Sequence, residues 1–326
     1  MYFDMSRGFF GKRVKRMTVD VIIPTYKPDQ EFFTLIEILQ KQTVPVQKIL
    51  VINTEEKYYN HLIFGRRYKK EYKNMVVKHI SAHEFDHAGT RRRAVKDSEA
   101  DVFVMMTQDA IPADENLIRN LLAPLEQDGV AVSYARQLAK EDAGEIEKYT
   151  RQFNYPEISV QKGQADIETM GIKTFFCSDV CAAYKRETYD RLGGFVKRAI
   201  FNEDMIYAAN AVKAGYKVAY AADAKVYHSH NYTGKQQFCR NFDLGVSQAM
   251  HPEVFDGISS ESEGVSMVKK TIKYLWENGH KTDIFRLVYT SGCKFVGYRL
   301  GKCYRRLPEK IILACTSNRN FWMRRA

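Results

Sequence analysis

Short apolar runs alternate with stretches of helical periodicity over the first half of the chain. The runs have strand length and cover residues 19–24, 48–53, 76–80, 102–109 and 130–134. Between them, apolar residues at helical spacing predict helices at residues 29–41, 58–72, 88–96 and 114–126. This alternation predicts an α/β fold with a mostly parallel central sheet and right-handed crossovers.

The pattern weakens after the fifth run. Residues 141–173 lack periodicity and contain the breakers Gly144, Pro156 and Gly163, which predicts a long functional loop. Regular patterns then return and predict strands at 174–184, 217–220 and 225–227 and helices at 186–192 and 203–214.

The chain changes character after Tyr232. Residues 259–264 read Ser-Ser-Glu-Ser-Glu-Gly and predict a flexible connector. Beyond it, basic residues interleave with apolar positions at helical spacing, namely Ile284, Val288, Phe295, Val296, Leu300, Cys303 and Leu307. Such a helix can lie in the headgroup plane of an anionic bilayer, or it can pack on the domain or on a second subunit. Periodicity alone leaves these alternatives open.

The charge is concentrated in this tail. The chain has 326 residues, 45% hydrophobic and 27% charged, which is typical of a globular protein. Its formal net charge is +11, and residues 265–326, with 14 Lys and Arg against 3 Asp and Glu, account for all of it. The basic residues of the tail therefore bear on the location of the protein in the cell rather than on the ligand of its active site. We expect no nucleic-acid partner.

Several classes of protein are disfavoured. No apolar run approaches the roughly 20 residues that span a bilayer, and the basic, aromatic N-terminal segment 1–18 has no signal-peptide core. We expect a cytoplasmic protein, peripherally associated with the inner face of the plasma membrane. The six cysteines lack zinc-like spacing and are interpreted as buried free thiols. The absence of GxGxxG and GxxxxGK[ST] motifs argues against dinucleotide-binding and P-loop enzymes.

One acidic residue ends the fourth run. Asp109 ends the sequence Val-Phe-Val-Met-Met-Thr-Gln-Asp, and Pro112 stops the strand soon after. Ligands of α/β proteins bind outside the carboxyl ends of parallel strands. Asp109 is therefore placed to hold a cation that binds phosphate oxygens, although aspartate is also an ordinary turn residue at such a position.

Five short motifs together carry a family resemblance. They are Val-Asp-Val-Ile-Ile-Pro-Thr-Tyr (19–26), Phe-Asp-His-Ala-Gly-Thr-Arg (85–91), Thr-Gln-Asp-Ala-Ile-Pro (107–112), Asn-Glu-Asp (202–204) and His-Ser-His-Asn-Tyr-Thr (228–233). In this order they resemble family 2 glycosyltransferases of the GT-A fold, and among them bacterial rhamnosyltransferases. The tail sequence Gly-Tyr-Arg-Leu-Gly-Lys (297–302) is also similar to the C-terminal region of rhamnosyltransferases.

The resemblance implies a domain organisation and a donor site. A Rossmann-like GT-A domain would cover residues 19–235, and a basic amphipathic helical region, 236–326, would associate with a membrane or dimerise. The implied donor-binding residues are Pro24, Thr25, Tyr26, Asn53, His87, Arg91, Gln108 and Asp109. Asn53 would meet the base or ribose, but most relatives carry an Asp-Asp-Gly-Ser-like turn here, which leaves base selectivity open. Arg91 would grip the diphosphate with its guanidinium.

The resemblance also implies the metal site and the general base. The family's Asp-x-Asp motif is reduced here to Thr107-Gln108-Asp109, so Asp109 would be the direct carboxylate ligand of Mn²⁺ or Mg²⁺. His228 or His230 would complete the shell, because imidazole suits manganese; the alternative is a structural pair of histidines. Asp204 would be the base that deprotonates the acceptor, with Glu203 orienting it or binding the acceptor.

These residues predict a metal-dependent, inverting glycosyltransferase. The most plausible donor is dTDP-β-L-rhamnose, and the acceptor would be a hydroxyl of a surface polysaccharide or lipid-linked oligosaccharide. Two alternatives stay open from the sequence: a UDP-hexose donor, and a non-catalytic basic binding module on a GT-A scaffold. A homodimer is possible through the tail.

Overall fold

The computed structural model describes residues 17–64, 72–257 and 261–323. The predicted N-terminal segment 1–18 lies outside the described residues apart from Met17 and Thr18. The strands are β1 Val19–Tyr26, β2 Lys48–Thr54, β3 Met75–Ile80, β4 Val102–Met106, β5 Ile111–Pro112, β6 Val130–Leu138, β7 Val160–Lys162, β8 Cys181–Lys185 and β9 Lys217–Tyr227. The helices are α1 Gln30–Leu39, α2 Glu56–Phe64, α3 His87–Val95, α4 Leu117–Leu125, α5 Glu145–Asn154, α6 Ile167–Met170, α7 Arg186–Arg191, α8 Glu203–Lys213, α9 Gly234–Met250, α10 Pro252–Phe255, α11 Glu261–Glu277, α12 Asp283–Lys302, α13 Glu309–Cys315 and α14 Arg319–Met323.

The described strands form one sheet in the order β3-β2-β1-β4-β8-β6-β9-β5, with β7 also paired to β9. The pairings of β1 with β2 and β4, of β2 with β3, and of β6 with β9 are parallel. Strands β5, β7 and β8 run antiparallel to their neighbours. Six strands therefore point in one direction, and the prediction of an α/β fold with a mostly parallel sheet is confirmed.

Strand β1 shows why the first apolar run lies at the centre. Val21 and Ile23 pack into the core on one face of the sheet, whereas Ile22 packs into the core on the other. Because both faces are covered by helices, successive residues are all buried and the run reads as continuously apolar. Helix α1, which follows, starts where the Asp29 side chain accepts a hydrogen bond from the backbone N–H of Glu31 at 2.9 Å.

Several predicted elements differ from the structure. The loop predicted at 141–173 contains α5, β7 and α6. The strand predicted at 174–184 begins only at Cys181, and the two strands predicted at 217–220 and 225–227 are one strand, β9. Asp223 interrupts the apolar pattern of β9, but the strand continues through a register shift against β6.

Within the C-terminal region, helices α9 and α12 pack closely against each other. A Cβ atom added at Gly297 would lie 2.3 Å from the carbonyl oxygen of Phe238, and one at Gly301 would lie 2.1 Å from that of Phe242. Gly297 and Gly301 of α12 face α9, and because they have no side chain the two helix backbones can approach closely. The predicted connector at 259–264 is wrong from Glu261 onward, because α11 begins there; residues 258–260 lie outside the described part.

The predicted apolar stripe of the tail is divided: Leu300 and Leu307 pack against the core cluster that contains Phe242 and Val246, whereas other members, together with the adjacent Phe285, are exposed. Phe285, Val288, Phe295 and Val296 are more than half exposed. In the described part of the chain, no helix combines the length and the apolar character needed to cross a bilayer.

Candidate active site

The side chains predicted to carry chemistry meet at one edge of the sheet. The parallel strands β1, β2, β4, β6 and β9 all end there, and the antiparallel strand β8 begins there. Asp109 follows β4, and His228 and His230 follow β9. Mostly parallel strands thus bring residues from distant parts of the sequence to a common edge.

Asp109, His228 and His230 form a compact cluster. The Nε2 atom of His230 lies 3.2 Å from Asp109 Oδ2, and that of His228 lies 3.6 Å from Asp109 Oδ1. The two Nε2 atoms are 3.1 Å apart. One potential ligand atom from each residue lies within 4.8 Å of the others. The predicted metal-binding residues are therefore brought together.

Gln137, at the end of β6, orients His228. The His228 Nδ1–H donates to Gln137 Oε1 at 3.1 Å, and Arg151 donates to the same oxygen. Because that carbonyl oxygen can only accept, the proton of His228 sits on Nδ1 and the lone pair on Nε2 faces Asp109. Burial lowers the pKa of His228 to about 3, so its imidazole is neutral, as a metal ligand must be.

The donor set of this cluster fits a divalent cation. Burial opposes ionisation of Asp109, but the two imidazoles beside it hold its pKa below the usual value, so the carboxylate is charged. One carboxylate oxygen with two neutral imidazole nitrogens suits Mn²⁺ and related divalent ions. Further ligands would come from water and from phosphate oxygens of a bound nucleotide.

A second cluster, of opposite charges, surrounds the start of α8. Arg91 is buried, with its NH1 atom 3.1 Å from Glu203 Oε1 and its Nε atom 3.4 Å from Asp179 Oδ2. The Tyr184 hydroxyl donates to the other Asp179 oxygen at 2.5 Å. The guanidinium predicted to grip the diphosphate is therefore engaged by two carboxylates of its own chain.

Asp204 lies beside this cluster with a raised pKa. Its carboxylate accepts from the backbone N–H of Asp179 at 2.9 Å and from that of Met205 at 2.7 Å. Burial, and then the charge of Glu203, raise the pKa of Asp204 to about 7. A carboxylate with a pKa near neutrality has the basicity expected of a general base.

The backbone just before this pair is strained. Asn202 adopts the left-handed conformation with φ of 64°, which directs Glu203 and Asp204 into the first turn of α8.

A chain of hydrogen bonds joins the two clusters. Gln137, which holds His228, donates through Nε2 to the Ser178 hydroxyl at 3.0 Å. Ser178 immediately precedes Asp179, whose backbone N–H binds Asp204. The cluster of Asp109, His228 and His230 is thus connected to Asp204.

A cavity of about 600 Å³ opens beside the clusters. Of the predicted donor-binding residues, Pro24, Thr25, Tyr26, His87, Arg91 and Gln108 line it. Gln108 joins the ends of β1 and β4, because its amide accepts from the Tyr26 N–H at 2.9 Å and donates to the Tyr26 carbonyl at 3.1 Å. His87 faces the cavity as a neutral ring, since burial lowers its pKa to about 4.

Asn53 is placed differently from its predicted contact with the base or ribose. Its side chain is fully buried, accepting from the Thr25 hydroxyl at 3.1 Å and bonding His79 at 3.0 Å. Thr54, the next residue, lines the cavity instead. Asn53 therefore supports Thr25 from behind rather than facing the cavity.

Sequence reasoning missed three parts of this site. Asp179 lay inside a predicted strand and Arg151 inside a predicted loop, and Gln137 lay beyond the end assigned to its strand. The signal at Asp179 is a polar pair, Ser178-Asp179, just before the apolar start of β8. Sequence reasoning also missed the segment Thr316–Asn320, the turn before α14 with the first two residues of that helix, which lines the cavity from the C-terminal end of the chain.

A mostly parallel sheet with a carboxylate–histidine cluster and a carboxylate-bearing helix start at its carboxyl edge is the arrangement of the GT-A fold. The fold comparison agrees: the mannosyltransferase PcManGT from Pyrobaculum calidifontis, solved with GDP-Man and Mn²⁺, superposes with a TM-score of 0.55 at 14% identity, over 92% of this chain and 79% of that one.

The family follows from the sequence comparisons. The sequence model described as "Glycosyl transferase family 2" matches residues 20–193. The O-antigen chain rhamnosyltransferase RfbN of Salmonella typhimurium is 38% identical over 94% of this chain and 96% of its own length. The O-antigen chain rhamnosyltransferase WbaN of Salmonella anatum is 36% identical over 93% and 95%. The chain belongs to glycosyl transferase family 2 and is an enzyme, so the non-catalytic alternative is set aside.

Proposed function

We propose that this enzyme transfers L-rhamnose from dTDP-β-L-rhamnose, with inversion, to a hydroxyl of a surface polysaccharide or lipid-linked oligosaccharide. Two relatives that cover nearly the whole chain are named as O-antigen chain rhamnosyltransferases, which supports this sugar and this kind of acceptor. The observation that carries the proposal is the joined pair of clusters: a potential cation site and a buried carboxylate of raised pKa at one sheet edge.

Asp109, His228 and His230 would hold the divalent ion, Mn²⁺ or Mg²⁺. When bound, such an ion neutralises charge on the diphosphate leaving group. Gln137 keeps the His228 imidazole in the required tautomer. The neighbouring cavity would hold the nucleotide, with Pro24, Thr25 and Tyr26 on one wall.

Asp204 would act as the general base. Inverting transfer needs one group that accepts the proton of the acceptor hydroxyl as its oxygen attacks the anomeric carbon. Burial and the charge of Glu203 keep the proton affinity of Asp204 high. Glu203 and Asp179 both pair with Arg91. Arg91 would therefore act mainly on these carboxylates, with any diphosphate contact secondary.

The acceptor would approach over the C-terminal region. A largely apolar groove of about 900 Å³ lies between residues 172–176 and helices α9, α11 and α12. Gln237 and Lys294 line both this groove and the polar recess beside His230. An acceptor that joins a saccharide to an apolar anchor fits the polar recess with the first and the apolar groove with the second. These adjoining surfaces therefore favour a lipid-linked acceptor.

The division into a catalytic domain, 19–235, and a C-terminal region, 236–326, is retained within the proposal. The exposed apolar stripe of α12 and the basic excess around it would associate peripherally with an anionic membrane on the cytoplasmic face. The same stripe could instead join two copies in a homodimer; vesicle binding and oligomeric state in solution separate these two occupants.

A donor screen tests the proposed activity. The purified enzyme is incubated with dTDP-L-rhamnose, UDP-hexoses and GDP-mannose, with and without Mn²⁺, and release of each nucleoside diphosphate is measured. We expect turnover of dTDP-L-rhamnose above all others, and only with the metal. Preferred turnover of a UDP-hexose would overturn the donor assignment and favour the alternative donor.

A further inference from the structure

The nucleotide cavity has a wall that comes from the far end of the chain. Residues Thr316, Ser317, Asn318, Arg319 and Asn320 line it opposite the ends of β1 and β4. They are separated from the predicted donor motifs by some two hundred residues of sequence. No sequence motif of the resemblance covers them.

This segment, the loop before α14 with the first two residues of that helix, is held in place from beneath. The buried carboxylate of Asp243, in α9, accepts from the Thr316 hydroxyl at 2.6 Å and from the Ser317 N–H at 2.9 Å. The Ser317 hydroxyl also donates to Asp243. A carboxylate with three donors from two successive residues fixes their backbone.

The loop is also tied to the sheet domain across the cavity mouth. Asn320 donates through Nδ2 to the carbonyl of Ala82 at 3.1 Å. Phe321 is buried, and the guanidinium of Arg198 donates to its carbonyl and lies 4.3 Å from its ring centre. Attachments on both sides make the loop a fixed part of the cavity rather than a passing contact.

The charges around the cavity single out one residue of the loop. A nucleoside diphosphate brings at least two negative charges. Of the basic side chains lining the cavity, Arg91 is already paired with Glu203 and Asp179, and His87 is uncharged near neutral pH because burial lowers its pKa. Arg319 is exposed and uses only Nε, which donates to the Leu313 carbonyl at 3.0 Å. Its two terminal nitrogens have no partner within the described ranges.

We infer that the loop Thr316–Asn320 is the outer wall of the donor site and that Arg319 binds the diphosphate of the nucleotide sugar. The guanidinium presents two free donors to phosphate oxygens, the geometry in which arginine recognises phosphate best. The C-terminal region thereby contributes to donor binding as well as to the acceptor side. This inference rests on the proposed function for the identity of the nucleotide, although not for the role of the diphosphate.

The test measures nucleotide binding in the full-length enzyme. Calorimetric titrations with dTDP, UDP and GDP, each with Mn²⁺, are made on the wild type, Arg319→Ala and the matched control Arg306→Ala. Arg306 is an exposed arginine of the same tail that does not line the cavity. We expect Arg319→Ala to weaken the preferred diphosphate about 10- to 100-fold, as for loss of a charge-assisted contact. Arg306→Ala should bind like the wild type.

The outcomes separate this inference from the proposed function. If the wild type prefers UDP or GDP, the rhamnose donor is overturned, and the effect of Arg319→Ala on that nucleotide still decides the inference. Unchanged diphosphate affinity in Arg319→Ala overturns the inference, as does failure of the wild type to bind any diphosphate. The inference would also be overturned if Arg319→Ala weakened the binding of thymidine, measured by saturation-transfer NMR, as much as it weakens the binding of the diphosphate. Arg319 would then only shape the cavity.

Discussion

At the scale of a single residue, the raised pKa of Asp204 predicts how activity depends on pH. Burial and the charge of Glu203 raise its pKa to about 7, so below that pH the carboxyl is protonated and cannot accept the acceptor proton. Activity should therefore increase as the pH rises through about 7 and level off above it. His87, whose pKa is lowered to about 4, does not titrate in this range. The pH dependence of kcat/KM checks this, and a profile that is flat through neutrality would contradict it.

A second prediction concerns the effect of Gln137 on the affinity for the metal ion. Its Oε1 holds the Nδ1 proton of His228, so Gln137→Ala should free the ring to rotate and change tautomer. We expect Mn²⁺ binding to weaken about 10- to 100-fold, the usual cost of losing a partner behind a metal ligand. Calorimetry with Mn²⁺ alone gives the readout. Gln161→Ala, on β7 near the opposite end of β9, is the control and should bind like the wild type; equal affinity in the two variants would contradict the role of Gln137.

Residues differ in how far the sequence reveals them. Asp109 was predictable because it follows a readable strand, and His228 and His230 because the family resemblance implies them; the structure brings the three together. The pairing of Arg91 with Asp179 and Glu203 was not, because it depends on how α3, α8 and the turn before β8 pack. Asn53 shows the same limit: its position at a strand end was correct, but its side chain turns inward to Thr25 and His79.

At the scale of elements, the contact between α9 and α12 depends on glycine. In Gly301→Ala the new methyl group would lie 2.1 Å from the Phe242 carbonyl oxygen, so the helices must separate. We expect a loss of about 1–3 kcal/mol in the free energy of unfolding, as for overpacking of a core. Thermal or urea unfolding measures it.

The matched control for this change is Gly292→Ala in the same helix, where nothing lies within 4 Å of the added methyl. Alanine there should stabilise the protein by up to about 1 kcal/mol, because it favours the helix over the unfolded chain. If the two variants have the same stability, the close approach of the helices is not what glycine provides.

Elements with a clear apolar pattern of their own were predictable, whereas elements that are stabilised mainly by contacts with other elements were not. Strands β1, β2 and β4 are buried on both faces, so their runs are unmistakable. Helix α5 has no fully buried residue; ion pairs such as Arg151 with Glu147 at 2.7 Å and contacts with α11 and α12 hold it. The predicted loop at 141–173 was therefore wrong because tertiary contacts supply what local periodicity lacks.

At the scale of the whole molecule, the tail carries the net charge and an exposed apolar stripe. We expect Phe285→Ser/Val288→Ser to reduce binding to anionic vesicles while leaving hydrolysis of the donor unchanged, since both side chains are exposed and outside the nucleotide cavity. Vesicle co-sedimentation measures the first and nucleotide release the second. Ile158→Ser, a similarly exposed apolar residue outside the tail, is the control; undiminished binding in the double variant would contradict the membrane role.

Both halves of the chain contribute residues to the cavity, which explains why it could be only partly predicted from the sequence. The first half of the chain supplies the strand ends, which the sequence reveals. The segment Thr316–Asn320 lies beside these strand ends because Asp243 in α9 and the carbonyl of Ala82 hold it there. That placement follows from helix packing in the C-terminal region and from no local pattern.

The measurement that tests the central claim most directly is donor turnover after metal removal. The enzyme is treated with a chelator, and release of dTDP from dTDP-L-rhamnose is followed before and after Mn²⁺ is restored, for the wild type and Asp109→Asn. We predict that the chelated wild type is inactive and recovers with Mn²⁺, and that Asp109→Asn, folded as judged by thermal unfolding, recovers little at the same concentration. Full wild-type activity in the chelator, or full activity of Asp109→Asn, would contradict a cation site at Asp109, His228 and His230.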